Sequence, residues 1–142
     1  MNRLRPIAWG LALCFAALPF AFAQTSPGPA AGPTVQHSPG GTDYINGGVG
    51  DEERAAMTAR QRDFPFKVVL SGTGGEFVVA ERLSVSTPQG ELLVIRDAGP
   101  IVMIKLPPGQ YTLEATRKGK TERRSVRLMA TLAQTLEWRF AG

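Results

Sequence analysis

The sequence has almost none of the residues on which most metal and thiol sites depend, with one cysteine, Cys14, and one histidine, His37. Cys14 lies in an apolar N-terminal segment, and cleavage of that segment would leave a chain without disulfides or catalytic thiols. Zinc sites of the usual nitrogen and sulfur ligands are excluded for the same reason. A lone histidine in a Pro/Gly/Ser-rich stretch is predicted to be incidental. We therefore predict no catalytic residue, no metal site and no cofactor.

A strong excess of one charge sign is also missing. The chain has 16 basic and 12 acidic residues, a net charge of +4, and loss of Arg3 and Arg5 with the N-terminal segment would lower it further. Nucleic-acid-binding domains present a strongly basic face, and single-strand binders add aromatic side chains for base stacking. Neither pattern occurs, so we predict no nucleic-acid partner.

Long hydrophobic runs are absent except near the start of the chain. Arg3 and Arg5 precede an apolar run over residues 7–22, and the segment ends in the small-x-small order Ala21-Phe22-Ala23. This is the order of a secretory signal peptide. Pro19 interrupts the run, which is shorter than the ~20 residues that span a bilayer. We predict cleavage after Ala23, location in the periplasm or secretion, and no transmembrane segment thereafter.

Two segments precede the predicted domain. Residues 24–42 are rich in proline, glycine and serine, a composition that predicts a disordered linker. Residues 43–65 form an extension in which acidic residues precede alanines and then Arg60 and Arg62. This charge order suits a helix from about Glu52 to Arg62 that ends before Pro65.

From Phe66 onward the apolar period becomes two, and turn residues recur at short intervals. The candidate strands are FKVVLS, EFVVA, RLSVSTP, ELLVIR, IVMIKL, YTLEATRK, TERRSVRLMA and AQTLEWRF. Short strands at this spacing predict an all-β fold: a single antiparallel β-sandwich of about seven strands, prealbumin-like or immunoglobulin-like, over residues 66–142. Alternation places Tyr111 and Trp138 on buried faces. The runs LLVI and IVMI are apolar on both faces, which predicts central strands or a strand covered by the helix.

The stretch LPPGQYTLEATRKGKTERRSVRL, Leu106 to Leu128, resembles the end of carboxypeptidase regulatory-like domains, which share the prealbumin or transthyretin β-sandwich fold. With YINGGVG and DEERAAM upstream, the chain is similar to small exported proteobacterial proteins of this kind. The resemblance implies a fold and says very little about activity. Transthyretin-like hydroxyisourate hydrolases use histidines and end in Tyr-Arg-Gly-Ser, whereas the predicted domain of this chain has no histidine and ends in Trp-Arg-Phe-Ala-Gly, so their activity is not expected here.

The corner in this stretch has a physical explanation. Pro107 and Pro108 cannot donate to a sheet ladder and stop the preceding strand, and Gly109 allows the chain to reverse. Tyr111 can bury its ring and return its hydroxyl to a backbone group, as in the tyrosine corner. We predict structural roles for these four residues and for Trp138.

The candidate site is a basic hairpin. Arg117, Lys118 and Lys120 lie at its tip, and Arg123 and Arg127 point outward from the next strand. These cations either protect a sheet edge from pairing with other chains or form a patch for an anionic surface or acidic partner.

We therefore predict a non-catalytic exported module that binds or supports another cell-envelope molecule, either a protein or an anionic surface. The alternative is a small hydrolase or isomerase that uses carboxylates such as Glu76, Glu81 and Glu91 without histidine or cysteine. Convergent carboxylates in a cleft would favour the enzyme, whereas an exposed edge or apolar patch would favour the binding module.

Overall fold

The computed structural model describes residues 33–130 and 132–141. The predicted signal peptide (1–23) and the first part of the predicted linker lie outside these residues. The described chain contains one helix and nine strands. In chain order they are β1 (Gln36–His37), β2 (Asp43–Gly47), α1 (Asp51–Ala59), β3 (Phe66–Ser71), β4 (Ala80–Thr87), β5 (Gly90–Ala98), β6 (Ile101–Ile104), β7 (Gly109–Arg117), β8 (Lys120–Leu128) and β9 (Gln134–Arg139).

The strands form two sheets with a common core. One sheet has the order β1-β2-β6-β3-β9 and the other β5-β4-β7-β8, which confirms the all-β sandwich. All pairs are antiparallel except β3 with β9, which is parallel. The expectation of a purely antiparallel sandwich is therefore wrong at this pair. The chain crosses from β8 in one sheet to β9 in the other, so no hairpin forces β9 to run against its neighbour.

The core lies between the two sheets and follows the predicted alternation. Tyr111, Leu113 and Ala115 face inward from β7, and Trp138 and Phe140 face inward at the end of the chain. Trp138 is the largest of the fully buried side chains. Because every second residue of a strand shares a face, these positions could be assigned from the sequence.

A second, smaller cluster covers the outer face of the five-stranded sheet. Met57 of α1 packs there with Ile45, Phe64, Ile101 and Met103. The helix therefore covers IVMI, which is β6, a central strand between β2 and β3. LLVI is different, because it lies in β5 at the edge of the other sheet.

The helix is shorter than predicted, ending at Ala59 with Arg60 as its C-cap residue, so neither Arg60 nor Arg62 lies in its last turn. Phe64 is buried in the second cluster, and the residue before a proline disfavours helical backbone, so the chain leaves the helix early. At the other end, the Glu53 carboxylate accepts hydrogen bonds from the backbone N–H groups of Gly48 and Val49, at 2.9 and 3.2 Å. The NGGVG stretch thus fixes the start of the helix.

The prediction of a disordered linker does not hold for residues 36–42. β1 pairs with β2, and Ser38 is buried. The Ser38 hydroxyl accepts from the N–H of Thr42 at 3.0 Å and donates to the carbonyl of Leu92 at 3.2 Å. Composition could not predict this order, because it depends on one buried hydroxyl that hydrogen-bonds Leu92 at the edge strand β5.

The predicted strand EFVVA is not a separate element. Phe77 forms only an isolated bridge with Ser71, and β4 begins at Ala80. Phe77 and Val79 are 50% and 48% exposed. The glycine-rich turn before Phe77 delays regular pairing, so an apolar run of strand type here forms a loop.

The two ends of the sandwich differ in composition, and we name them for use below. The hairpin end contains the β7–β8 turn, the last residues of β3 and β9, and the start of α1. The loop end contains the Pro107–Gly109 corner, the β4–β5 turn, the last residues of β6 and β8, and the first residues of β3 and β9.

Candidate binding site

The tip of the predicted basic hairpin is a two-residue turn. Arg117 pairs with Lys120, and Lys118 and Gly119 between them have φ of 52° and 74°. Two successive positive φ values are typical of a type I′ turn. The backbone N–H of Lys118 donates to the Glu81 carboxylate at 2.9 Å. The ammonium groups of Lys118 and Lys120 are exposed and form no ion pair among the described residues.

Arg117 has a different role from the two lysines. It lies on the inward face of β7, half-buried, with its guanidinium carbon 5.9 Å from the ring centroid of Phe140. Arg124 is placed in the same way over Trp138, at 5.1 Å. Arginine covers aromatic faces at such distances through cation–π attraction and the apolar part of its side chain. Arg117 therefore covers one end of the core.

Arg123 and Arg127 point outward from β8, as predicted, but they too are separate from the tip. Arg123 pairs with Glu114 across the hairpin, with its Nε atom 2.8 Å from Glu114 Oε1. Arg127 is opposite Gln110 and exposed. At ~3.3 Å per residue, Lys120 and Arg127 are roughly 23 Å apart along the strand. The structure thus divides the five predicted binding residues between the two ends.

β8 is the edge strand of its sheet, and side chains connect it to β9. The amide of Gln134 accepts from the Met129 N–H at 2.8 Å and donates to the Arg127 carbonyl at 3.1 Å. The Glu122 carboxylate accepts from the Trp138 indole N–H at 2.9 Å and the Ala141 N–H at 3.2 Å. Trp138, for which we predict a structural role, is fully buried. Part of the β8 edge is therefore occupied within the chain itself.

The proline corner has the predicted geometry. The Tyr111 hydroxyl donates to the Pro107 carbonyl at 2.6 Å, and the ring is 5% exposed. Gly109 has a φ of 154°. Burial raises the pKa of Tyr111 above its usual 10.0, because the charged phenolate would lose hydration.

The loop end has a group of basic residues that were not predicted from the sequence to lie together. Arg62 and Lys105 line an open cleft of about 680 Å³, and Arg127 lines an adjacent groove of about 450 Å³. All three are exposed, and none is in an ion pair within the part of the chain that the structure describes. They come from three distant segments of the chain, so no local run of basic residues in the sequence predicts that they share one end.

The three carboxylates at the loop end, in contrast, have basic neighbours. Asp43 Oδ1 lies 2.5 Å from His37 Nδ1, Asp63 lies 3.9 Å from Arg60, and Glu91 lies 3.2 Å from Arg82. Arg62, Lys105 and Arg127 are therefore not the ion-pair partners of these carboxylates. His37, predicted to be incidental, lies within hydrogen-bond distance of Asp43.

The carboxylates named for the enzymatic alternative are divided between the two ends. Glu76, in the β3–β4 connection, and Glu81, which accepts from the Lys118 N–H, lie at the hairpin end. Glu91 lies beside the β4–β5 turn at the loop end and pairs with Arg82. The cleft beside Lys105 does contain two carboxylates, those of Asp43 and Asp63. Across residues 33–130 and 132–141, no group of three or more histidine, cysteine, aspartate and glutamate side chains could hold a metal ion. Nor does this part of the chain contain a helix long and apolar enough to cross a membrane.

Comparison with known proteins adds little to this geometry. No protein-family model and no curated protein matches the chain. Among solved structures, the chain is similar to the Bacillus anthracis TIE protein with a TM-score of 0.45 and 14% sequence identity, over 54% of this chain and 16% of the other. A likeness at this level carries no argument about function. The resemblance to carboxypeptidase regulatory-like domains therefore stays a prediction.

Proposed function

We propose that this protein is a non-catalytic, exported β-sandwich module that binds an anionic molecule of the cell envelope. The observation that carries the proposal is the charge at the loop end. Arg62, Lys105 and Arg127 are exposed there without ion-pair partners among the described residues, whereas each nearby carboxylate has a basic neighbour. Cations arranged on one face raise the local concentration of an anionic partner and speed its association.

Two further features support the proposal. The N-terminal charge and apolar pattern is that of a secretory signal, which would place the domain in the periplasm or outside the cell. The similarity of the Leu106–Leu128 stretch to carboxypeptidase regulatory-like domains favours a β-sandwich module of this kind.

The test is crosslinking in intact cells. A photoreactive residue replaces Gln89, which is exposed at the loop end, or Thr73, which is exposed at the hairpin end. We expect the Gln89 variant to give adducts with envelope proteins or lipids, and the matched Thr73 variant to give few. Equal labelling from both positions, or none from Gln89, would rule out the loop end as the binding surface.

A charge-matched pair of variants completes this experiment. The Arg62→Ser, Lys105→Ser, Arg127→Ser triple should lose the Gln89 adducts. The Arg117→Ser, Lys118→Ser, Lys120→Ser triple removes the same charge from the hairpin end and should keep them. Loss of adducts only in the second triple would return the site to the basic hairpin.

Export is tested separately. Cell fractionation should recover the protein from the periplasm or medium with Gln24 as its first residue. Recovery of the uncleaved chain from the cytoplasm would remove the envelope partner from consideration.

A further inference from the structure

We infer that the loop end docks on an anionic phospholipid surface, with Met129 and Leu132 entering the headgroup region. The inference rests on the proposed function and names the partner of the same site. Met129 and Leu132 are 62% and 64% exposed, although both have large apolar side chains. They lie between the end of β8 at Leu128 and the start of β9 at Gln134, so both belong to the loop end.

Exposed apolar side chains become informative when polar or charged groups surround them. Single exposed apolar residues are common on protein surfaces, but two on one connection, beside unpaired cations, are typical of a site that meets another apolar phase. Membrane-surface proteins combine these two elements, since apolar side chains enter the headgroup boundary while lysine and arginine contact lipid phosphates. Arg62, Lys105 and Arg127 supply the second element.

The side chain of Gln134 hydrogen-bonds the backbone of both Met129 and Arg127, one residue from each of the two groups. The Gln134 amide bonds the N–H of Met129 at 2.8 Å and the carbonyl of Arg127 at 3.1 Å. Arg127 and Met129 therefore keep a fixed relation to each other and to β9. A second groove beside Arg127, about 360 Å³, is lined also by Gln110, Thr112 and Ser125, whose polar groups suit a phosphate-bearing headgroup.

The hairpin end also exposes apolar side chains, but there the exposed lysines Lys118 and Lys120 share the surface with exposed carboxylates. Val49 is 72% exposed and Phe77 50%. The Arg54 guanidinium lies 4.8 Å from the Phe77 ring centroid and is already paired with Asp51. Exposed acidic residues on the same end, such as Glu52, would repel lipid phosphates. The charge at the two ends therefore selects the loop end for an anionic membrane.

The experiment measures binding of the purified protein to phosphatidylcholine vesicles with and without phosphatidylglycerol. We expect binding to depend on phosphatidylglycerol and to weaken at high salt. Each cation near such a surface contributes ~1 kcal/mol, so each of Lys105→Gln and Arg127→Gln should weaken binding about fivefold. The Met129→Ser, Leu132→Ser double variant should weaken it about tenfold or more, since each side chain loses its apolar contact with the bilayer.

Matched controls come from the hairpin end. Lys118→Asn with Lys120→Gln removes two cations there, and asparagine tolerates the positive φ at position 118. Val49→Ser with Val79→Ser removes two exposed apolar side chains. Both controls should bind vesicles like the original protein, and circular dichroism melting should show that all variants fold.

The results separate the membrane inference from the proposed function. No vesicle binding, or unchanged binding by the Met129/Leu132 variant, overturns the membrane inference. If Gln89 crosslinks an acidic protein while vesicles are not bound, the proposed function survives with a protein partner. If neither Gln89 adducts nor vesicle binding are found, both proposals are wrong.

Discussion

The hairpin end and the loop end each carry several basic residues, but those residues contact different things. At the hairpin end Arg117 covers Phe140, and the turn at Lys118 is held by Glu81. At the loop end Arg62 and Arg127 are exposed and form no ion pair among the described residues. Lys118 and Lys120 remain exposed at the hairpin tip, so a cluster of cations along the sequence predicts only in part where positive charge is available.

The physical reason lies in what a strand does with neighbouring residues. Because side chains alternate along a strand, Arg117 and Arg124 face the core, where each packs over an aromatic ring. Arg123 faces outward, where Glu114 is its cross-strand neighbour. A run of basic residues on a hairpin is thus distributed over two faces and several partners. Basic residues from separate segments, in contrast, can lie at the same end of the sandwich without sharing the same aromatic or acidic neighbours.

The largest effect that tests this comparison is expected at Glu122, which accepts from the buried indole N–H of Trp138. Glu122→Ala leaves that donor without its acceptor, which should lower the free energy of unfolding by about 1–3 kcal/mol. Glu122→Gln keeps an acceptor and should lose less, as urea denaturation would show. Equal stability of the two variants would mean that this contact does not hold β8 to β9.

At the loop end the corresponding change is Tyr111→Phe. It removes the hydroxyl that donates to Pro107 and should lower the free energy of unfolding by roughly 1–2 kcal/mol. Tyr44→Phe is the matched control, because its hydroxyl bonds the exposed Gln36 side chain. An unchanged unfolding midpoint for Tyr111→Phe would remove its role as a corner residue.

A smaller difference is expected between two arginines. Arg117→Ser loses the cover over Phe140 and should cost about 0.5–1 kcal/mol. Arg127→Ser should change stability by less than about 0.5 kcal/mol, because the side chain is exposed. Thermal unfolding of both variants measures the contrast, and a larger loss for Arg127→Ser would reverse the roles assigned to the two ends.

The smallest effect is a pH dependence. Since burial raises the pKa of Tyr111, its neutral form stabilises the fold fully below pH 10.0, and this contribution is lost as pH rises through the folded-state pKa. In Tyr44→Phe, where Tyr111 is the remaining tyrosine, tyrosinate absorbance should appear above pH 10.0. The Tyr44→Phe variant should have a higher free energy of unfolding than the Tyr44→Phe, Tyr111→Phe double variant, and this difference should shrink over the same pH range. A titration at the usual tyrosine pKa would contradict burial of the hydroxyl.

Several features could be predicted from the sequence because their causes are local. Alternation placed Tyr111 and Trp138 in the core, and the Pro-Pro-Gly corner follows from the missing proline donors and the freedom of glycine. The cover that α1 provides for β6 could be expected because IVMI is apolar on both faces. Failures occurred where one distant contact decided the outcome, as with Ser38, whose hydroxyl bonds Leu92.

The sequence by itself determined the all-β class, the inward faces and the corner at Pro107, because these depend on residues a few positions apart. Only the tertiary structure decided that β9 runs parallel to β3, and that Arg62, Lys105 and Arg127 share one end while Arg117 is used by the core. Strand pairing and charge neighbours depend on which segments the two sheets bring together, and no local pattern records that choice.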